Sequence, residues 1–204
     1  MIDLLFPVLG DTLPTDHAYL LYAALSRVIP AVHDPTTRMR FAPVTGEPVG
    51  AGRLRITDRS LLRLRLPAEQ IATALPLAGR RIEVGSDTVR FGTPRVTALT
   101  PATSLIARIV TLKHNTELMP FLARATEKLT TLGVQGEVSV PLTPDGPRKG
   151  QPLRRVARVK GKCVVGFAMV VEGLSANDSI RLQEQGLGGR TRIGCGFFLP
   201  VRGK

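Results

Sequence analysis

The chain has 204 residues, of which 43% are hydrophobic and 4% aromatic, enough for one domain or two small ones whose core is mostly Leu, Val, Ile and Ala. No segment reaches the length of a transmembrane helix and no basic region precedes the apolar N-terminal stretch, so we expect neither a membrane span nor a secretory signal. The formal net charge of +12 favours a polyanionic partner, nucleic acid rather than an anionic membrane.

The first half of the chain predicts alternating strands and helices. Apolar residues recur at helical spacing after a cap signal at Thr15 or Asp16, and Pro30 is expected to end or kink this helix. Apolar and basic residues alternate in GRLRITDRSLLRLRLP, which is typical of a strand or hairpin. The predicted elements are a strand at 2–9, a helix at 14–34, a strand or hairpin at 52–67, a short helix at 67–79, and strands at 80–100 with a turn in GSD.

The second half repeats this order. Gly133 closes its first helix, and Ser175 caps its second, with Asp178 in the capping-box position. Because the same six-element order appears twice, we predict an α+β fold of two tandem ferredoxin-like (βαββαβ) domains, 1–100 and 101–204. The predicted elements are a strand at 104–113, a helix at 116–134, a strand at 136–142, a hairpin at 154–174, a helix at 175–189 and a strand at 195–201.

Metal and cofactor chemistry has no signature in this chain. Cys163 and Cys195 lie far apart, and we interpret them as reduced core thiols of a cytoplasmic protein. The sequence contains no CxxC, HxH or paired-carboxylate spacing and no GxSxG, which disfavours a metal enzyme and a serine hydrolase. We therefore expect no metal and no cofactor.

Positive charge is concentrated towards the C-terminus. From Arg148 to Lys204 there are twelve Lys and Arg against three acidic residues, which accounts for nine of the net positive charges. A charged run is ordinarily a solvated face, but here one sign dominates half a domain, and this favours nucleic-acid binding. The candidate contacts are Arg154, Arg155, Arg158 and Lys160.

The glycine-rich sequence GLGGRTRIGCGFFLP, which begins at Gly186, runs into the last strand. Glycine lets the backbone approach an anion closely, and Arg190 and Arg192 can add charge-assisted bonds, so Gly188 and Gly189 with these arginines are predicted to bind the phosphates of a nucleic acid. The plainer alternative is a helix C-cap followed by a tight turn. The segment is neither a Walker loop nor a dinucleotide fingerprint, because no Gly-Lys-Ser/Thr follows and a helix precedes it.

Taken together, these features resemble the CRISPR-associated repeat-RNA-processing endoribonucleases of the RAMP superfamily. The stretch SANDSIRLQEQGLGGRTRIGCGFFLP is similar to the variant of Myxococcus-type CRISPR systems, and LPTDHAYLLYAALSRVIPAVHD resembles the family's first helix. The resemblance covers essentially the whole chain. It implies an endoribonuclease that needs no metal, with CRISPR precursor RNA as substrate and other CRISPR-associated effector subunits as candidate partners.

In such enzymes the ribose 2′-hydroxyl attacks the adjacent phosphate and leaves a 2′,3′-cyclic phosphate. The reaction needs a base, a proton source and cations on the phosphorane. The family often places its catalytic His where His33 lies, and histidine is the natural base near neutral pH. Archetypal members add a Tyr on the first helix and a Lys after the His. By spacing, Ser26 falls at the Tyr position and Arg38 or Arg40 near the Lys, and Tyr22 is a candidate substitute one turn before Ser26.

The other histidines have plainer explanations. His17 is a catalytic candidate at the helix start, although a packed or capping role is the simpler explanation. His114 is expected at the surface or in contact with RNA, and Asp34 either orients His33 or caps a turn. The alternative function is a non-catalytic RNA-binding subunit of a CRISPR ribonucleoprotein, which would tolerate the loss of every histidine.

Overall fold

The structure is a computed structural model that describes residues 1–201, and its contacts divide the chain into two units. The first unit comprises Met1–Ala98 together with Arg192–Gly194. The second comprises Leu99–Thr191 and the described residues that follow Gly194. Three residues of the glycine-rich segment thus have their contacts mainly in the first unit.

An antiparallel sheet with one long helix packed on its apolar face forms the first unit. Its elements are β1 (Ile2–Leu9), β2 (Thr12–Pro14), α1 (Ala18–Val28), β3 (Arg40–Ala42), β4 (Glu47–Pro48), β5 (Arg53–Arg55), β6 (Leu61–Leu66), α2 (Ile71–Ala74), β7 (Arg81–Val84), β8 (Asp87–Phe91) and β9 (Arg95–Ala98). The strand order is β3-β6-β1-β8-β7, and β9 also pairs with β1. A hairpin at 52–67, one of the two predicted forms, is wrong, because β5 joins β2 and β4 in a separate small sheet.

The start of α1 differs from the prediction. The sequence predicted that α1 begins near residue 14, but Thr12–Pro14 form strand β2, which pairs with β5. The N-cap position is occupied by His17, which makes no side-chain cap bond, rather than by Thr15 or Asp16. Tertiary strand pairing has therefore overridden the local cap signal.

Proline sets the end of α1, as predicted. Ile29 precedes Pro30 and has φ −125° and ψ 84°, outside the helical region, because the proline ring crowds the helical conformation of the residue before it. The chain then turns through a 3₁₀ helix at Pro30–Val32. Val32 is buried in the core, which anchors the turn and returns the chain towards α1.

The sheet face opposite the core carries a buried ion cluster. Side chains alternate between the two faces of β6, so Leu62, Leu64 and Leu66 enter the core while Arg63 and Arg65 lie on the other face. Asp3 of β1 is the register partner of Arg65. Its carboxylate accepts from Arg63 Nη1 at 2.7 Å, from Arg65 Nε at 2.7 Å and from Arg65 Nη2 at 3.0 Å.

The second unit repeats the arrangement. Its elements are β10 (Ser104–Val110), α3 (Leu118–Thr131), β11 (Glu137–Ser139), β12 (Arg154–Val159), β13 (Lys162–Glu172), α4 (Ala176–Gln185) and β14 (Phe198–Pro200). The strand order is β11-β13-β10-β14, and β12 pairs with the first half of β13. Ser175 accepts from the Asp178 N–H and donates to its carboxylate, so the predicted cap of α4 is confirmed. In each unit the strand after the first helix lies at the sheet edge, and the predicted α+β class of two ferredoxin-like repeats is confirmed.

Two further expectations can be compared with the structure. Cys195 is buried as predicted, but Cys163 is exposed near the start of β13 and is not a core thiol. Among residues 1–201, the helices are too short or too polar to cross a membrane.

Candidate active site

Tyr22 and His33 form a pair on the surface of the first unit. The Tyr22 hydroxyl oxygen lies 2.5 Å from His33 Nδ1, and the two ring centroids are 5.9 Å apart. Tyr22 projects from the middle of α1, and His33 follows the 3₁₀ turn at Pro30–Val32. The proline break therefore folds the chain back so that the imidazole meets a side chain eleven residues earlier. His33 is exposed and Tyr22 is half-buried, so the imidazole is accessible to a large substrate.

One proton can lie between these two groups in either of two ways. If the phenol donates to Nδ1, the neutral imidazole carries its own proton on Nε2 and can only give a proton there. If Nδ1–H donates to the phenol oxygen, Nε2 has a free lone pair and can take a proton. In that second tautomer the phenol O–H stays available as a donor to an anionic oxygen.

Ser26 lies one turn further along α1, but its hydroxyl is engaged within the helix. Its Oγ donates to the carbonyl oxygen of Tyr22 at 2.8 Å. This is the i−4 back-bond common for serine inside helices. Ser26 therefore touches the backbone of Tyr22 rather than the imidazole of His33.

Tyr19 is a neighbour that sequence reasoning missed. Its ring stacks on Tyr22 with centroids 6.3 Å apart and an interplanar angle of 30°. The signal was available, because residues three apart on a helix share a face. Tyr19 thus restrains the phenol that meets His33.

Asp34 caps a second 3₁₀ turn, at Pro35–Thr37. Its Oδ1 accepts from the N–H and the hydroxyl of Thr36, both at 2.8 Å. These two hydrogen bonds, with a smaller contribution from the positive charge of Arg192, hold the pKa of Asp34 below its usual value. Of the two roles considered for Asp34, the bonding in the structure fits the cap.

Arg192 reaches the same turn from the glycine-rich segment. Its Nη1 donates to the carbonyl oxygen of His33 at 2.7 Å. The residue belongs to the segment Arg192–Gly194, which is part of the first unit. A predicted RNA-binding arginine therefore contacts the backbone of the predicted catalytic histidine.

The two arginines considered for the Lys role differ in setting. Arg38 is exposed and has a positive φ of 55°. Arg40 is half-buried on β3 opposite Arg65, and its buried Nη1 has no hydrogen-bond partner among residues 1–201. Burial, followed by the nearby charges of Arg65 and Arg38, lowers the pKa of Arg40 to about 10. A crowded cation of this kind gains stability when an anion approaches it.

His17 is not brought to the pair. It lies at the opposite end of α1, its side chain is 1% exposed, and its Nδ1 lies 2.7 Å from the carbonyl oxygen of Pro14. A carbonyl can only accept, so Nδ1 carries the proton. His114 is exposed in the second unit with a φ of 64°.

The basic residues of the second unit lie along a hairpin. Arg154, Arg155 and Arg158 are on β12, Lys160 is at the turn into β13, and all four are exposed. The register pairs Arg158 with Cys163, near the end of the ribbon. Arg202 and Lys204, which the sequence counts among the C-terminal cations, lie outside the described residues.

Packing against the protein explains the glycine at Gly188 but not the one at Gly189, where a Cβ would have room. A Cβ on Gly188 would lie 2.6 Å from the carbonyl oxygen of Thr111. Gly189 donates its N–H to that same oxygen at 2.9 Å, and its own carbonyl accepts from the Thr111 hydroxyl at 3.0 Å. Within this segment, Arg190 is exposed with a φ of 57°. Thr111 had no sequence signal, because its partners lie far along the chain.

Comparison with known proteins identifies relatives of this chain. A family model described as Cas6 Crispr matches residues 2–203. The chain is 44% identical over 199 residues, 98% of its length and 81% of the relative's, to a Myxococcus xanthus (strain DK1622) protein named CRISPR-associated endonuclease Cas6.

Two solved structures share the fold. One, described as CRISPR associated protein Cas6, gives a TM-score of 0.68 at 12% identity and covers 98% of both chains. The other, described as an RAMP protein binding different RNA substrates, gives a TM-score of 0.66 at 12% identity and covers 98% of this chain and 99% of that one. At such identities the likeness concerns the fold alone.

Proposed function

This chain belongs to the Cas6 family of CRISPR-associated proteins, and from that premise we propose that it is an endoribonuclease that cleaves CRISPR repeat RNA without a metal ion. The observation that carries the proposal is the exposed pair of Tyr22 and His33. An accessible imidazole whose other ring nitrogen is held by a hydrogen bond is the arrangement that general-base catalysis needs. The 44% identity to a protein named as an endonuclease supports the same activity.

The proposed reaction is an internal transesterification. His33 Nε2 takes the proton of the ribose 2′-hydroxyl, and the 2′-oxygen forms a bond to the adjacent phosphorus. The bond from phosphorus to the 5′-oxygen breaks, and that oxygen takes a proton from the Tyr22 hydroxyl, which the Nδ1 proton of the His33 imidazolium replaces. The products are a 2′,3′-cyclic phosphate and a 5′-hydroxyl, so atoms and charge balance without an external oxidant or metal.

Tyr22 has two tasks in this scheme. As acceptor for Nδ1–H it selects the tautomer in which Nε2 has a lone pair. Its own O–H then faces outward as a donor to a phosphate oxygen or to the leaving 5′-oxygen. Ser26 supports Tyr22 only through the helix backbone.

The remaining requirement is positive charge on the phosphorane. Arg38 and Arg40 follow His33 closely in sequence, and the buried Nη1 of Arg40 has no hydrogen-bond partner in the part of the chain that the structure describes. A phosphate oxygen next to these guanidinium groups would gain charge-assisted bonds as negative charge develops. We assign this role to Arg38, which is exposed, and not to Arg40, because Arg40 is the register partner of Arg65 and its side chain starts from the sheet face opposite α1.

RNA binding is proposed for the hairpin of β12 and β13 and for Arg190. The hairpin candidates are Arg154, Arg155, Arg158 and Lys160. Guanidinium groups suit phosphate because they donate two parallel hydrogen bonds. Gly188 and Gly189 shape the backbone beside Arg190, since their close contacts are with Thr111. Association with other CRISPR-associated effector subunits belongs to this proposal as well.

The experiment is single-turnover cleavage of repeat RNA in EDTA. The wild type should cut and leave a 3′ end that can be ligated only after the cyclic phosphate has been opened and removed. His33→Ala should cut on the order of 10²- to 10⁴-fold more slowly while binding RNA as well as the wild type. His114→Asn is the matched control, because it removes an exposed histidine of the second unit and asparagine tolerates its positive φ.

Each other outcome identifies a different error. Cleavage only when Mg²⁺ is added would contradict metal independence. Normal cleavage by His33→Ala would move the base elsewhere, first to His17. A wild type that binds every repeat RNA and cuts none would support the alternative, a non-catalytic RNA-binding subunit.

A further inference from the structure

Arg192 is anchored to the first unit by the two residues that follow it. Ile193 is buried, and Gly194 has a φ of 85°. A Cβ on Gly194 would lie 2.8 Å from Pro43 Cδ and 3.3 Å from the carbonyl oxygen of Phe41. The backbone beside Arg192 is therefore packed closely against the segment after β3.

Val32 anchors the turn in the core, but His33, the residue that follows it, is itself exposed. Within the turn, the His33 N–H donates to the carbonyl of Pro30 at 2.9 Å, and the Asp34 N–H donates to that of Ala31 at 3.2 Å. Both bonds lie inside the turn and do not fix its place on the unit. The Arg192 bond to the His33 carbonyl comes from a segment 159 residues away and does fix it.

Charge adds to this geometry. After the two hydrogen bonds from Thr36, the positive charge of Arg192 makes a smaller contribution to the lowered pKa of Asp34, and Asp34 caps the 3₁₀ helix that follows His33. One guanidinium group thus acts on two consecutive residues of the turn. Arg192 is exposed, and the bond from its Nη1 to the His33 carbonyl turns the guanidinium group towards the protein.

We propose that Arg192 is a positioning residue, which holds the backbone of His33 so that the imidazole stays against Tyr22, and that it is not primarily an RNA contact. The proposal rests on the proposed function for the role of His33. It gives the two arginines of the glycine-rich segment different roles, since Arg190 remains the candidate for RNA binding. It also explains why Gly194 is needed, because a larger residue would displace Arg192.

The test separates binding from the chemical step. Arg192→Ala should lower the single-turnover rate at saturating repeat RNA by about 10- to 100-fold, the cost expected when a reacting group is misplaced by a fraction of an ångström to 1 Å. The dissociation constant should change no more than in Arg59→Ala, which removes one exposed positive charge from the first unit. Arg192→Lys, which keeps a donor and the charge, should recover part of the rate.

A second measurement does not depend on cleavage. The ¹⁵N and ¹H chemical shifts of the His33 ring report its tautomer and its bond to Tyr22, and both should change in Arg192→Ala. Gly194→Ala keeps the guanidinium group but displaces it, so the same shifts and the same rate loss are expected. These spectra can be recorded even if the wild type cuts no RNA, which separates failure of this proposal from failure of the proposed function.

Two results would overturn the proposal. An Arg192→Ala protein with weakened RNA binding and an unchanged rate at saturation would make Arg192 an RNA contact. A protein with unchanged His33 ring shifts would show that the carbonyl bond positions nothing.

Discussion

Tyr22 and Ser26 lie one turn apart on α1, yet only one of the two hydroxyl groups meets the imidazole of His33. Sequence spacing favoured Ser26 for the Tyr position of the family. Spacing counts residues along a helix and contains no information on where the chain folds back after the helix ends. The 3₁₀ turn at Pro30–Val32 brings His33 back over the middle of α1. Ser26 instead satisfies its hydroxyl on the carbonyl oxygen one turn earlier.

This difference predicts opposite outcomes for two conservative variants. Tyr22→Phe removes the hydroxyl at His33 Nδ1 and should slow single-turnover cleavage by about tenfold or more. Ser26→Ala should change the rate by less than about twofold and leave stability within about 0.5 kcal/mol, since alanine is the better helix former. Quenched-flow assays on both proteins measure this. Slow Ser26→Ala beside fast Tyr22→Phe would reverse the assignment.

Asp3 offers a stability test at the same scale. Its carboxylate is the ion-pair partner of Arg63 and Arg65, and the Arg65 side chain is 1% exposed. Asp3→Asn would leave a buried cation without its counter-charge, and we expect a loss of about 3–5 kcal/mol in the free energy of unfolding. Urea denaturation measures it. Asp58→Asn, at an exposed carboxylate in a turn, is the matched control, and equal effects in the two variants would contradict the ion-pair argument.

At the scale of elements, the glycine-rich segment packs its backbone closely against a neighbouring strand. Its backbone approaches the end of β10, where the carbonyl oxygen of Thr111 lies against Gly188 and accepts from Gly189. Gly188 has a φ of 87°, which a side chain rarely adopts. Packing and backbone conformation are thus reasons for glycine at Gly188, and neither is a reason for glycine at Gly189.

Alanine substitutions at Gly188 and Gly189 should therefore have different effects on stability. Gly188→Ala combines a positive φ with a 2.6 Å contact to backbone and should cost at least about 1–3 kcal/mol of stability. A Cβ on Gly189 would meet nothing nearer than 3.6 Å, so Gly189→Ala should be close to neutral. Thermal unfolding compares the two. A Gly189→Ala protein that keeps its stability but loses RNA affinity would support the interpretation that this glycine binds phosphate.

At the scale of the whole molecule, net charge governs association. The chain carries +12 overall, and its exposed hairpin of β12 and β13 bears four of the candidate RNA contacts. Each phosphate neutralised releases counterions, so with four or more contacts the slope of log affinity against log salt should be roughly −3 or steeper. Filter binding across a salt series measures it, and a slope near zero would exclude a mainly electrostatic contact.

The hairpin's share of that slope can be isolated. Replacing its four basic residues by alanine should flatten the slope by up to about 3, because each lost phosphate contact removes about 0.7–0.9. The control replaces four exposed arginines of the first unit and has the same net charge; these are Arg59, Arg80, Arg81 and Arg90. Equal slopes in the two variants would mean that overall charge, not the hairpin, attracts RNA.

What the sequence by itself determined is local. Hydrophobic periodicity predicted the order of the longer strands and the helices but not the short strands β2, β3 and β4. Pro30 predicted the end of α1 and the Ser175–Asp178 pair the start of α4, because each of these signals depends on residues within a few positions of one another. The concentration of basic residues towards the C-terminus is likewise evident from the sequence alone. Resemblance of a stretch of sequence pointed to His33 as the base.

Only the tertiary structure decided which groups meet. Tyr22 rather than Ser26 faces His33, Arg192 bonds to a carbonyl 159 residues away, and Asp3 sits opposite Arg65 in the sheet. The start of α1 moved for the same reason, since strand pairing overrode a cap signal. These contacts follow from sheet register and from loops that close over long stretches of chain, and no pattern confined to neighbouring residues encodes them.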